Sequence, residues 1–156
     1  MRAKETIRIL NRLIRSCRGA EAVCRACSAT RAAAQLRTVL SRRGEEWGRH
    51  GDELHALVLM LGGEPATAAA SGGFARRTWL ACKALLLGSS EALVLEEWHA
   101  VQQRIFNRYE EALRGYLARR IRRTVRVQAA RIGQRLDEIE SLRHENAVVS
   151  PNASHV

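Results

Sequence analysis

The sequence predicts an all-α fold, an antiparallel bundle of four long helices. The 156-residue chain is 46% hydrophobic but only 4% aromatic. Its apolar residues are mostly Ala, Leu, Val and Ile, and alanine favours helices and is scarce in sheets. Apolar residues also recur at three-and-four spacing over four long segments, the pattern of amphipathic helices. This length suits one domain with one core.

The first helix is predicted from Glu5 to about Ser28. Its apolar stripe consists of Ile7, Leu10, Leu13, Ile14, Cys17, Ala20, Val23, Cys24 and Cys27. Arginines occupy the other faces, and the hydroxyls around Ser28 and Thr30 can cap helix ends. The second helix carries Leu36, Val39, Leu40, Trp47, Leu54, Leu57, Val58 and Leu61. It is predicted to stop at Gly62-Gly63.

A long connection follows the second helix. Residues 64–73 have the Pro, Gly and small-residue content of a loop. A short helical pattern with Phe74, Trp79, Cys82, Leu85 and Leu86 then leads to Gly88-Ser89-Ser90. The connection is long enough to cross from one end of the bundle to the other. Among bundles, one long crossover in the middle is the ferritin-like arrangement.

The third and fourth helices are predicted on either side of a break near Gly115. The third carries Leu93, Leu95, Trp98, Ile105, Phe106, Tyr109, Leu113 and Tyr116, and the fourth Ile121, Val125, Ile132, Leu136, Ile139 and Leu142. The helical period is lost after residue 145. We therefore expect a bundle over residues 4–145 and a flexible tail over residues 146–156.

Several local signatures resemble a bacterial family of ferritin-like four-helix bundles classed as a domain of unknown function. They are Glu5-Thr6-Ile7, Glu21, Glu53-Leu54, Leu61-Gly62-Gly63-Glu64-Pro65, Gly72, Trp79, Lys83, Gly88 and Tyr109-Glu110-Glu111-Ala112-Leu113. The resemblance covers roughly residues 4–144. It implies the bundle fold, but no activity, because none is established for the family.

Four residues are candidate metal ligands. Di-metal bundles of the ferritin-like class bind metal through Glu and His side chains at the bundle centre. Glu21 lies on the apolar seam of the first helix, where a lone carboxylate is costly unless it is paired or metal-bound. His50 lies on the inward seam of the second helix, between Glu46 and Glu53. Glu21, Glu46, His50 and Glu53 would bind iron or manganese.

The rest of the expected ligand set is missing. At two positions where the family often carries Glu and His, this chain has Gln102 and Leu136. Amides bind metals poorly and leucine cannot bind them. The favoured interpretation is therefore a degenerate metal site, in which Glu21 pairs with Arg43 or Arg135 in a buried polar layer.

Cys24 and Cys27 form a C-x-x-C sequence, with Cys17 one heptad earlier. They could bind a soft metal such as Zn²⁺ or Cu⁺. A redox C-x-x-C normally begins a helix, where the helix dipole lowers the thiol pKa, whereas this one is near a helix end. Packing as small hydrophobic side chains is the favoured interpretation, for Cys82 as well.

The basic residues are 24 arginines and two lysines, and the net charge is +10. Between residues 114 and 135 there are eight arginines and no acidic residue. Arg119, Arg120, Arg122, Arg123 and Arg126 are the candidates for binding nucleic acid or an anionic surface. This interpretation is not favoured here, because the segment carries no nucleic-acid motif and no exposed aromatic residue interleaves with the arginines. A solvated helix face, whose arginine stems cover apolar surface, is the favoured interpretation.

The sequence thus favours a non-catalytic binding or structural module. Metal-dependent oxidation or peroxide handling would need a complete set of carboxylates. The N-terminus has no signal-peptide pattern, and the apolar stretches at residues 54–61 and 80–87 are too short to span a bilayer. We therefore expect a cytoplasmic protein. Self-association into a homo-oligomer is compatible with a small bundle, although no residue specifies it.

Overall fold

The structure is a computed structural model that describes residues 2–28, 37–67 and 91–153, with side chains omitted for 91–94 and 146–153. Its four helices are α1 (Arg2–Ser28), α2 (Arg37–Met60), α3 (Glu91–Arg114) and α4 (Arg119–Ala153). The described residues contain no strand. The predicted all-α class is therefore confirmed. The predicted start of the second helix, the short crossover helix and Cys82 lie outside the described residues.

Contacts between side chains give the direction of each helix. Along α2, Arg43 contacts Glu138 of α4 and Glu53 contacts Gln128, so α2 and α4 are antiparallel. By the same reasoning α1 is antiparallel to α2 and to α3, and α3 to α4. Because α2 and α3 are both antiparallel to α1, they run parallel to each other across the diagonal of the bundle.

This arrangement requires the crossover that the sequence predicts. The end of α2 and the start of α3 lie at opposite ends of the bundle, about 36 Å apart for a helix of 24 residues. The described start of the connection already turns back along α1. Asn11 donates to the carbonyl oxygen of Glu64 at 3.0 Å and accepts from the amide of Ala66 at 2.8 Å.

The core is aliphatic, with few aromatic rings. The largest side chains that are fully buried include Leu10, Leu13 and Ile14 of α1, Leu54 of α2, Ile105 and Tyr109 of α3, and Ile132 of α4. All come from the three-and-four stripes of the sequence, which is why the spacing predicted the helices correctly. Two completely buried polar side chains, Gln102 and Gln128, interrupt this core.

The α2 helix approaches α1 closely at two glycines. A Cβ atom at Gly44 would lie 3.1 Å from the Cβ of Cys24. At Gly48 it would overlap the carboxylate of Glu21. Side chains of α1 thus fill the space that these glycines leave, so this pair of helices is fixed in one relative position.

The end of α2 is a Schellman motif. Gly62 has a φ of 78°, its amide donates to Leu59, and the amide of Gly63 donates to Val58. These bonds satisfy carbonyls in the last turn of the helix. The α3–α4 turn is closed differently, by the guanidinium of Arg122, which donates to the carbonyl oxygens of Leu113 at 2.7 Å and Gly115 at 2.6 Å.

One predicted boundary differs from the structure. The sequence predicts a tail from residue 146, whereas α4 continues to Ala153. The backbone thus stays helical beyond the residue at which the apolar period of the sequence stops. Extending a helix that has already formed needs no new nucleus.

Replacing Gly62 by Ala should cost about 1 kcal/mol of unfolding free energy, since an L side chain is strained at this positive φ. Gly133→Ala is the matched control. Gly133 lies within α4, and its Cβ would be at an ordinary contact distance of 3.5 Å from the ring of Phe106 in α3. This substitution should therefore raise the unfolding free energy by about 0.5–1 kcal/mol, because alanine has the higher helix propensity. Urea unfolding followed by circular dichroism measures both. Equal effects of the two substitutions would contradict this account of the α2 end.

Candidate functional site

Glu46, one of the four predicted metal ligands, is paired with an arginine. Both of its oxygens accept from the Arg135 guanidinium, at 3.1 and 2.9 Å. Arg135 also pairs with Glu138 at 2.9 Å, and Glu138 pairs with Arg43. Burial alone would raise the pKa of Glu46, but the hydrogen bonds and charge of Arg135 outweigh it and lower that pKa. The carboxylate is therefore already neutralised.

Glu21 has a different partner from the one predicted. Its carboxylate lies over Gly48 and is 3.7 Å from Arg25 of the same helix. The predicted partners, Arg43 and Arg135, instead bind Glu138 and Glu46. Arg43, Glu46, Arg135 and Glu138 form a network of ion pairs between α2 and α4 that is half-buried apart from the exposed Glu138, and Glu21 is not part of it. A long guanidinium can reach several carboxylates, and helical spacing alone does not decide between them.

His50 is buried and points inward, as predicted. Its ring meets the ring of Trp47 edge-on, with centroids 5.8 Å apart. Neither ring nitrogen has a hydrogen-bond partner among the described residues. Burial lowers the pKa of His50, with smaller contributions from Arg49 and Arg131, although Glu46 and Glu53 oppose this shift. His50 is therefore neutral at pH 7.

The four candidate ligands do not converge. Glu53 is exposed at the helix surface, where it accepts a hydrogen bond from Gln128 at 3.2 Å. Across residues 2–28, 37–67 and the described part of 91–153, no three His, Cys, Asp or Glu side chains come together as a metal-binding group. The predicted combination of Glu21, Glu46, His50 and Glu53 is thus not assembled in the structure.

Gln102 and Leu136, at the two positions where the resemblance predicts Glu and His ligands, are both buried in the core. The amide of Gln102 has no partner among the described residues, and neither does the indole nitrogen of Trp98. Unpaired buried amides are costly, and a core contains few of them. The polarity of Gln102 is therefore a local cost to stability.

A hydrogen-bonded chain crosses the bundle centre and links all four helices. Gln128 of α4 donates through its amide nitrogen to the carbonyl oxygen of His50 and to Glu53, both at 3.2 Å. Its amide oxygen accepts from the hydroxyl of Tyr109 in α3 at 2.7 Å. Because that hydroxyl has one proton, the thiol of Cys17 in α1 donates to it, at 3.3 Å. We name Cys17, Tyr109, Gln128 and Glu53 the central polar chain.

Sequence reasoning missed this chain. The spacing predicts Tyr109 as part of the apolar stripe of the third helix, and it predicts no role for Gln128. A signal for Gln128 was present, because it lies three residues after Val125 and four before Ile132. That spacing places it on the inward stripe of the fourth helix.

The buried thiols are not activated. Burial raises the pKa of Cys17 to about 12, and it raises the pKa of Cys24 well above its ordinary value, with a further contribution from Cys27. The pKa of Tyr109 is raised in the same way. All three groups keep their protons at neutral pH, whereas nucleophiles and metal ligands are thiolates. Packing, as predicted for Cys17, Cys24 and Cys27, agrees with their burial.

The second candidate surface is at one end of the bundle. We name it the basic end, formed by residues 2–8, 59–64 and 110–126. These residues include nine basic and four acidic side chains. Four of the predicted polyanion-binding residues, Arg119, Arg120, Arg123 and Arg126, are exposed there. None of these four forms an ion pair with another described residue.

Two residues of the basic end differ from the sequence-based expectation. Arg122 was predicted to face a polyanion, but it is half-buried and caps the end of α3. Tyr116, predicted on the apolar stripe of the third helix, is 65% exposed in the α3–α4 turn. The guanidinium of Arg2 lies 4.5 Å from the centre of its ring. An exposed aromatic residue therefore does accompany the arginines.

The match to a known protein family covers α1, α2 and α3. The profile of the family described as a domain of unknown function (DUF2383) matches residues 5–115. The chain belongs to this family. The DUF2383 match confirms the family membership expected from the local signatures, over a shorter range than the expected residues 4–144. No curated protein is significantly similar to the chain.

The DUF2383 match ends at the α3–α4 turn. The exposed arginines of α4 therefore lie beyond it, as does Gln128 of the central polar chain. Both features have to be interpreted from this chain's own contacts. No helix in the described parts of the chain is long and apolar enough to cross a membrane.

Tyr109→Phe should lower the unfolding free energy by about 1–3 kcal/mol, because it leaves buried groups of Gln128 and Cys17 without a partner. Tyr116→Phe removes an exposed hydroxyl and should change it by less than about 0.5 kcal/mol. Chemical denaturation of the two variants provides the comparison. If both substitutions had the same small effect, the central polar chain would not stabilise the fold.

The stability of the protein should depend on pH through His50. Its pKa is lowered in the folded state, so below about pH 6.5 the unfolded chain binds more protons than the folded one. The unfolding free energy then falls as the pH falls through this range. His50→Leu should remove that loss. In urea titrations between pH 8 and pH 5, the unfolding free energy should fall less for the variant than for the original protein. Parallel curves of unfolding free energy against pH would contradict the prediction.

Proposed function

We propose that this protein is a non-catalytic binding module whose basic end binds a polyanion. The observation that supports it best is the separation of charge along the bundle. The basic end has nine basic and four acidic residues, a formal charge of +5. At the other end, residues 20–28, 37–46, 91–99 and 135–145 contain six basic and ten acidic residues, a formal charge of −4.

The pairing of charges follows the same division. At the acidic end, arginines are neutralised by carboxylates, as in Arg135 with Glu46 and Arg143 with Glu96. At the basic end, Arg119, Arg123 and Arg126 have the spacing of one exposed helix face. Like charges that repel one another on a helix face destabilise it. A ligand with closely spaced anionic groups would neutralise them and release counterions.

The bundle centre supports the non-catalytic part of the proposal. Its thiols and its phenol stay protonated, and the half-buried carboxylate of Glu46 is paired with Arg135. Catalysis by iron or manganese would require Glu46 to exchange this arginine for a metal. No observation favours that exchange, so metal-dependent oxidation is the weaker proposal.

A labelled DNA duplex of about 20 base pairs is a suitable probe, since its phosphates report on charge alone. Fluorescence anisotropy should show binding near 50 mM salt that weakens steeply as salt rises, with a slope equivalent to about three to five phosphate contacts. Replacing Arg119, Arg120 and Arg123 together by Gln should reduce the slope by about three.

The matched control replaces three other exposed arginines, Arg15, Arg42 and Arg49, by Gln. It removes the same charge from outside the basic end and should leave most of the binding intact. Circular dichroism checks that both variants stay helical. Absence of binding near 50 mM salt, or equal losses in the two variants, would refute the proposal.

A further inference from the structure

We propose that the polyanion is the surface of an anionic lipid bilayer, which the basic end contacts end-on while inserting Leu59, Met60 and Tyr116. This inference rests on the proposed function, because it needs the same arginines. It adds a second kind of contact that DNA does not require, the burial of exposed apolar side chains among the lipids.

The apolar side chains are concentrated where the charge is. Leu59, Met60 and Tyr116 are 57%, 49% and 65% exposed. They are three of the five large hydrophobic residues that are exposed in the described parts of the chain, the others being Val39 and Val127. Leu59 and Met60 are the last two residues of α2, and Tyr116 lies in the α3–α4 turn.

The helix register places these residues beside the arginines. Arg43 pairs with Glu138, Glu46 with Arg135, and Glu53 with Gln128. Extending this antiparallel register brings Met60 to the level of Ile121, between Arg120 and Arg122 in sequence. Tyr116 is tied to the start of α1 by the ring contact with Arg2. The apolar and basic side chains thus lie at the same end of the bundle.

This combination suits a lipid surface better than a nucleic acid. Stable binding of a peripheral protein to a bilayer requires two signals, such as apolar insertion together with a basic patch. Tyrosine is enriched at the boundary between lipid and water, where its ring is buried and its hydroxyl stays hydrated. Exposed aliphatic side chains such as Leu59 and Met60 would have no comparable partner on a phosphate backbone.

The cleft between α1 and α3 does not compete with the basic end for this role. A cleft of about 240 Å³ between α1 and α3 is lined by Arg12 and Arg108, but also by Glu5 and Glu111. Its charges largely cancel. An anionic bilayer would repel the acidic end. This repulsion favours an orientation in which the basic end faces the membrane and the helix axes are steeply inclined to its surface.

The test is co-sedimentation of the full chain with vesicles of phosphatidylcholine, with or without phosphatidylglycerol. The protein should sediment with the phosphatidylglycerol vesicles and remain in solution with the neutral ones. Replacing Leu59, Met60 and Tyr116 together by Ser should weaken vesicle binding at least about fivefold, since the inserted apolar area is lost. The same variant should bind the DNA duplex within about twofold of the original protein. Val39→Ser, an exposed apolar position at the other end, is the matched control.

The outcomes separate this inference from the proposed function. If DNA binds but phosphatidylglycerol vesicles do not, the lipid inference fails and polyanion binding stands. Vesicle binding that is unchanged by the triple Ser substitution, or equal binding to neutral vesicles, would also overturn it. If neither DNA nor vesicles bind at low salt, both proposals fail. Circular dichroism of each variant ensures that a loss of binding is not a loss of folding.

Discussion

The position of the Gln128 side chain is the constraint on which the bundle centre depends. A buried amide has two donors and an acceptor, and leaving them unpaired costs more than the bonds contribute when made. Only one rotation of α4 directs its nitrogen to His50 and Glu53 and its oxygen to Tyr109. The aliphatic contacts around it are less selective. The central polar chain therefore specifies how the four helices face one another.

The charged residues divide into those that hold the fold and those that do not. Arg43, Glu46, Arg135 and Glu138 join α2 to α4, and Arg122 caps the end of α3. Removing Arg135 would leave Glu46 without its guanidinium partner, and removing Arg122 would leave the carbonyl oxygens of Leu113 and Gly115 without this donor. The exposed arginines at the start of α4 make no such contacts with described residues. Their net effect on folding is mutual repulsion, so they are the ones that a binding role best explains.

The sequence predicted the helices well because their signal is redundant. A stripe such as Leu10, Leu13 and Ile14 repeats over many turns, and an error at one position changes nothing. The site was less predictable because each contact depends on one side chain. Glu46 of α2, rather than Glu21 of α1, pairs with Arg135, because α2 packs against α4 whereas α1 lies across the diagonal of the bundle from it. Gln128 and Tyr109 were missed because a polar residue within an apolar stripe is identified only by its partners on other helices.

The separation of the basic end from the bundle centre has a consequence for how binding and folding are linked. The central polar chain and the α2–α4 ion pairs fix the register at and beyond the middle of the helices, more than two turns from the start of α4. The exposed residues Leu59, Met60, Tyr116 and Arg119 contribute little to that register. Substitutions at the basic end can therefore alter binding without unfolding the protein, because sites this far apart contribute almost independently to stability. The same separation lets the surface of this end vary while the core stays intact.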